Sequence, residues 1–329
     1  MPTRRRALLI LAALAGLALL GIALALMVGS IPIPISVVVS ALFGGADGTA
    51  GEVVRSLRLA RALSGFACGG LLALAGALLQ VLLRNPLADP YVLGISGGAG
   101  VGALAAILLG FGLAGVNGSA FLGALAAMLI VFGLAHGDGS WTQTRLLLTG
   151  VIVASGCGAA VALMLSVAPD NKLRGMLFWL MGDLSQADDP RLVLGILATV
   201  LLLCLPFARE LNLLTRGADM AQTLGVPVGR LRRGVYLLAS LATAAAVTQA
   251  GAIGFIGLIV PHLVRLAVGN DQRLLLPASA FAGGSLLVIA DTLARTIVTP
   301  QQLPVGVLTA LIGVPVFLFL LTRDARTRV

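Results

Sequence analysis

Lysine is nearly missing from this 329-residue chain: Lys172, in PDNKLRG, is the only one. A G-x-x-x-x-G-K-[ST] phosphate loop therefore cannot be built, and the chain hydrolyses no ATP by that route. Charge of either sign is scarce, at 11 % of residues, against about 25 % in soluble domains. Most of this surface cannot face water. The three cysteines, Cys68, Cys157 and Cys204, each lie inside an apolar run and at no metal-ligand spacing. They read as small packing residues rather than as a disulfide framework or a metal site. Aromatics make up 5 % and do not interleave with the basic residues, which are scattered over short loops. Nucleic acid is excluded as a partner.

What is present is apolar length. Hydrophobic residues make up 59 % of the chain, with a mean hydropathy of +1.06. Charge-free runs cover Ala7–Ala46, Ala62–Leu83, Leu146–Pro169, Leu192–Ala208, Gly234–Val264, Leu274–Ala290 and Thr296–Thr322. A helix needs about 20 apolar residues to cross a bilayer core. The run Pro90–Gly137 has room for two spans, with a turn expected at Gly110–Ser119. Gly234–Val264 is too short for two full helices, so one is expected to be short and broken near Gly251–Gly257. After MPTRRR, the stretch Ala7–Val28 exceeds a signal h-region and shows no small-residue cleavage site, so a retained first span is expected. The fold class is all-α: a polytopic membrane protein of about ten helices, one domain over 1–329.

Loop charge orients it. With ten spans and both termini inside, 15 of the Lys and Arg residues fall inside and 7 outside, while the acids divide 6 to 7. The net charge of +9 then lies wholly on the cytoplasmic side, as the positive-inside rule requires. Nine spans would put the basic TRDARTRV terminus outside.

The stretch RNPLADPYVLGISGGAGVGA, Arg84–Ala103, holds two soluble-enzyme patterns. GAGVGA fits a dinucleotide fingerprint, but the next acid after Asp89 is Asp138, far beyond the 20 or so residues that the ribose contact needs. GISGG fits a nucleophile elbow at Ser96, with Asp138 and His262 as conceivable partners, but no strand-and-helix context surrounds it. Glycines spaced by four (Gly65/Gly69, Gly94/Gly98, Gly98/Gly102) suit close helix packing better.

Ion-coupled carriers place Asp, Glu or His inside the membrane as relays. Here the span interiors are almost bare: Asp291 and Arg295, at i, i+4, are expected to pair near one interface, and His262 to serve packing or capping. A permease with neither nucleotide site nor relay takes its energy from another subunit. RELNLLTRGADMAQTLGVPVGRLRR, Arg209–Arg233, offers that subunit a docking surface. Asp219 is expected to cap a short helix there, Met220 and Leu224 to form its apolar face, Gly225 to take the left-handed position and Pro227 to stop it. The alternative is an ion-coupled or passive permease acting alone.

Several segments in one order resemble the FecCD-type permeases of ABC importers for ferric siderophores, haem and cobalamin. They are LRLARALSG (Leu57–Gly65), the Arg84–Ala103 stretch, TRLLLTGV (Thr144–Val151), FWLMGDL (Phe178–Leu184) and TLGVPVGRLRR (Thr223–Arg233). GAIGFIGLIVPHLVRL (Gly251–Leu266), the Leu275–Thr296 segment and the Leu303–Leu321 segment complete the set. The resemblance implies a homodimer in the bacterial inner membrane with two cytoplasmic ATPase subunits and one periplasmic binding protein. ATP and magnesium would be held by the ATPase, leaving no cofactor in this chain. It implies a cytoplasmic gate at Asn85, Leu87, Thr142, Gln143 and Thr144, where Gln143 is bulkier than the small hydroxyl residue expected. Coupling to the ATPase maps to about 211–230, with Gly217, Asp219, Met220, Leu224, Gly225 and Pro227. Arg58, Arg61 and Arg295 map to binding-protein docking, and Lys172 and Arg174 to further contacts with that protein or an anionic cargo. Haem or another tetrapyrrole is the favoured cargo.

Overall fold

The computed structural model describes residues 4–29, 31–45, 48–135, 142–187, 189–299 and 301–326. Within them the chain is helical, with no strand. In order come α1 (Arg4–Met27), α2 (Ile35–Leu42), α3 (Thr49–Glu52), α4 (Leu59–Leu82), α5 (Ile95–Leu109), α6 (Leu113–Ala135), α7 (Gln143–Ser166) and α8 (Asp170–Met181). Then follow α9 (Arg191–Cys204), α10 (Ala208–Arg216), α11 (Ala218–Thr223), α12 (Val228–Ala250), α13 (Ile256–Val268), α14 (Gln272–Ala294) and α15 (Val305–Arg326).

Six rods are long and apolar enough to cross a membrane: α1, α3 continued through a π-helical turn into α4, α6, α7, α9 continued into α10, and α14. Helices α5, α13 and α15 are shorter and apolar. With α12, whose first turns carry Arg230, Arg232 and Arg233, they make ten rods among the described residues. The number of rods matches the number of helices expected, six of them clear apolar spans. The turn expected at Gly110–Ser119 is tighter: Gly110 ends α5 in the left-handed region (φ 80°) and α6 already begins at Leu113, so Asn117 and Ser119 are helical.

Helix α4 is the axis, buried along nearly its whole length against α14, α12 and α13. Its glycines explain how. A Cβ on Gly69 would strike the backbone of Gly283 in α14, and one on Gly76 would strike the carbonyl of Gly257 in α13. Without a hydrophobic drive between helices in lipid, such small residues let backbones meet. Gly98 and Gly102 of α5 meet Gly123 and Ser119 of α6 in the same way, so the GISGGAGVGA stretch begins a packed span.

The expected break falls at Gly251–Phe255. Helix α12 ends at Gly251 (φ 67°), Phe255 takes the left-handed region (φ 71°), and α13 begins at Ile256. Irregular backbone at this depth must be satisfied inside the protein. The Tyr91 hydroxyl accepts from the Ile253 N–H at 2.7 Å, and the Ala250 carbonyl accepts from the Asp183 N–H at 2.9 Å. Pro261 leaves the Gly257 carbonyl without its helical donor, at the point where Gly76 allows α4 to close in. The neighbouring Leu258 carbonyl accepts from Gln80 Nε2 at 3.1 Å, and Gln80 Oε1 accepts from Arg265 at 2.9 Å.

Candidate functional site

At one end of the bundle, α4 finishes in a tight C-cap. Arg84 takes the left-handed position (φ 49°), the Asn85 N–H reaches the Gln80 carbonyl at 3.2 Å and the Arg84 N–H the Val81 carbonyl at 3.3 Å. These are the 6→1 and 5→2 bonds of a Schellman motif. Asn85 Oδ1 then accepts from the Leu87 N–H at 2.9 Å, folding Asn85-Pro86-Leu87 into an exposed turn. Thr142 caps α7, its hydroxyl accepting from the Arg145 N–H at 3.2 Å. Gln143 Nε2 donates to the Leu82 carbonyl at 3.0 Å. Gln143 thus ties the start of α7 to the last turn of α4, just before the Asn85–Leu87 turn. Gln143's extra length is what spans the distance to an orphan carbonyl of α4, whereas Thr144 points outward and makes no part of this tie. The same loop continues into Asp89, which caps a 3-10 turn at Pro90–Leu93 by accepting from the Tyr91 N–H at 2.7 Å. Burial raises the Asp89 carboxyl to about 6, with the bond from Tyr91 pulling the other way.

On the same end lies α11. Gly217 (φ 136°) is its N-cap, so Asp219 sits in the first turn and makes no capping hydrogen bond, contrary to the expected role. The far end follows the sequence reading. Gly225 is left-handed (φ 80°), the Val226 N–H reaches the Ala221 carbonyl and the Gly225 N–H the Gln222 carbonyl, both at 2.9 Å, and Pro227 follows. Met220 and Leu224 stand free, 48 % and 57 % exposed. Within the 211–230 segment, Leu211 and Leu214 are buried on α10. Asn212, which no motif singled out, donates to Asp271 Oδ1 at 2.9 Å and accepts from the Gln272 N–H at 2.9 Å. It fastens this end to the start of α14.

The opposite end carries the arginines. Arg58 (6 % exposed) and Arg295 (7 % exposed) turn inward. Arg58 donates to the carbonyls of Leu26 at 2.8 Å and Met27 at 3.1 Å, and Arg295 to that of Ala25 at 2.6 Å. These are the orphan carbonyls of the α1 C-terminus, where the helix dipole favours cations. Arg61 grips Asp291 with two nitrogens, at 2.9 Å and 2.7 Å, and reaches Gln302 at 2.9 Å. Asp291 stands 3.9 Å from Arg295, so its main partner is on α4 and not one turn away on its own helix. The sequence reading missed this cross-helix pair because i, i+4 spacing is visible in a sequence and a contact 230 positions apart is not. All three arginines line one cleft of about 510 Å³.

Beside it opens a wider cleft of about 790 Å³. Six carboxamides line it (Asn117, Asn171, Gln186, Gln249, Gln301 and Gln302), with Trp179, Phe178, Asp183 and Arg174. Arg174 lies 5.6 Å from the Phe178 ring centre. Lys172 is elsewhere, donating to the Leu108 carbonyl at 2.8 Å and so capping α5. The floor includes Gly251, the first residue of the break that Tyr91 holds. Ser96 lies in the first turn of α5 and His262 on α13, with no strand before the serine; Asp138 lies outside the described residues. No hydrolytic constellation is formed among the residues described.

The sequence model of the FecCD transport family matches residues 8–323. A cobalamin import system permease protein, BtuC, of Halobacterium salinarum is 45 % identical over 287 residues, 86 % of this chain and 77 % of that protein. The hemin transport system permease protein HmuU of Yersinia pestis is 43 % identical over 283 residues, 83 % of this chain and 84 % of its own length. A solved structure described as an inward-facing conformation of a metal-chelate type ABC transporter superposes with a TM-score of 0.83 at 30 % identity, covering 96 % of this chain and 99 % of that one.

Proposed function

This chain belongs to the FecCD transport family, and from that membership we propose that it is the permease subunit of an ATP-driven importer. It carries a metal chelate or tetrapyrrole from periplasm to cytoplasm by alternating access. The Asn85 end faces the cytoplasm and the Arg61 end the periplasm, which matches the excess of basic loops on the Asn85 side. Two copies enclose the pathway; two ATPase subunits sit against α11, and a binding protein docks above the arginine cleft.

The observation that carries this reading is the cleft of about 790 Å³ at the Arg61 end, with its floor tied through Ile253 and Tyr91 to the Asn85 segment. Alternating access needs two states that open opposite ends in turn, and the Tyr91–Ile253 hydrogen bond links segments near both ends. Lone hydrolysis of ATP has no site in this chain, so the energy enters through α11. Cargo contacts are read from the lining. Six carboxamides beside a single arginine favour a cargo itself rich in amides, of the corrinoid kind, over haem with its two carboxylates.

The test is uptake into proteoliposomes holding the permease, its ATPase and its binding protein, with cyanocobalamin, haemin and a ferric hydroxamate offered separately. Cyanocobalamin should accumulate most, and Gln249→Leu should lower that uptake several-fold. Preferential uptake of haemin, insensitive to Gln249→Leu, would return the cargo to the haem class.

A further inference from the structure

A third hollow, about 380 Å³ and mostly apolar, lies between the α9–α10 rod and α12, with Leu78 of α4 in its wall. It belongs to neither the gate nor the cargo cleft. Its depth can be read from the rod, which runs over Arg191–Arg216 through a 3-10 turn at Leu205–Phe207. At 1.5 Å per residue, Glu210 lies about 28 Å from Arg191, close to the far face of a bilayer core of about 30 Å. Arg230 stands at the start of α12 on the same side. The remaining lining, including Cys204, Leu231 and Leu238, runs inward from there. Leu202, Leu203 and Phe207 flank the hollow with exposed apolar surface, as a face turned toward lipid would.

Two charges stand at its polar end, and one of them is unmet. Glu210 Oε2 is buried with no hydrogen-bond donor. Such an oxygen is costly to leave without a donor. Arg230 is exposed and lines the same hollow. We infer that this groove binds one phospholipid with a phosphate and a primary ammonium in its headgroup, the phosphate on Arg230, the ammonium on Glu210 and an acyl chain along Leu231 and Leu238. An anionic headgroup lacking the ammonium would bring negative charge toward Glu210. A choline headgroup carries the right charge but has no N–H to donate. Basic pockets between spans at the cytoplasmic face hold phosphate headgroups in this way. Val226 and Pro227, just after the C-cap of α11, form part of the wall, so an occupied groove would also brace the segment proposed to meet the ATPase.

The full-length permease, stripped of lipid in detergent, is reconstituted into vesicles of equal parts phosphatidylethanolamine, phosphatidylcholine and phosphatidylglycerol. It is then extracted, and the retained lipid is counted by native mass spectrometry. Phosphatidylethanolamine should be retained about tenfold over either competitor, as one charged hydrogen bond implies. Glu210→Gln should erase the preference over phosphatidylcholine, and Arg230→Gln should lower retention of all three. Leu238→Phe, which fills the groove with both charges intact, should expel the lipid without lowering the unfolding temperature. Equal retention of the three lipids, or a preference that survives Glu210→Gln, overturns the assignment. So does a Leu231→Cys variant that the ATPase subunit, and not lipid, shields from a maleimide.

Discussion

At the scale of single residues, two classes decide this molecule: glycines that face backbone and arginines that face carbonyls. Gly76 has the Gly257 carbonyl where a Cβ would go, whereas Gly195 on α9 has open space there. Gly76→Ala should cost about 1–3 kcal/mol by overpacking and lower the unfolding temperature in detergent. Gly195→Ala should leave it level or slightly raised, since Ala is the better helix former. Glycine spacing pointed to close packing, but not to which glycines carry it: Gly65 meets only side-chain atoms. The arginines divide similarly. Arg58 satisfies two carbonyls at the end of α1, so Arg58→Gln should destabilise the fold by about 1–3 kcal/mol. Arg61 lines the cleft and also holds the nearly buried Asp291, so Arg61→Glu should destabilise the fold by about 3–5 kcal/mol and, in addition, slow binding-protein association and flatten its salt dependence. Thermal unfolding and association rates, measured on both variants, separate the roles; equal loss of stability with unchanged association would assign both to the fold. Family position alone grouped the three arginines as one docking set, because sequence shows a charge and not the direction in which it points.

At the scale of elements, the ends of helices were legible where glycine or proline marks them. Gly225 and Pro227 announced the stop of α11, and the short apolar run over Gly234–Val264 announced the break after α12. The end of α4 was hidden, since its left-handed residue is Arg84 and not glycine. The α11 N-cap was misplaced by two residues, because Gly217 takes that position through its positive φ and needs no side chain. Met220 and Leu224 remain the unburied apolar pair on α11. A helix in a partner's groove is held by such i, i+4 anchors. Leu224→Asp would place an unpaired charge in that contact, and ATP-driven uptake should fall at least about tenfold with the permease still inserted. Uptake at the wild-type rate would remove α11 from coupling. The gate has its own test. In a background with Cys68, Cys157 and Cys204 replaced, Leu87→Cys should cross-link between two copies in one nucleotide state only. Cross-linking that ignores nucleotide would place the closure elsewhere.

At the scale of the whole molecule, the rods were legible from charge-free length, since lipid demands helices whose backbone is satisfied within each segment, and loop charge was needed to choose ten over nine. The cleft was not legible, because its carboxamides come from α6, α8, α12 and the loops before α9 and α15, brought together only by folding. The central claim is that this chain moves cargo on energy supplied by a separate ATPase. Its most direct test is uptake into sealed proteoliposomes under three conditions: permease alone with an imposed proton or sodium gradient, permease with ATPase and binding protein plus ATP, and the same assembly with an ATPase unable to hydrolyse. Accumulation in the second condition only is the predicted result. Accumulation by the permease alone on an ion gradient would contradict it.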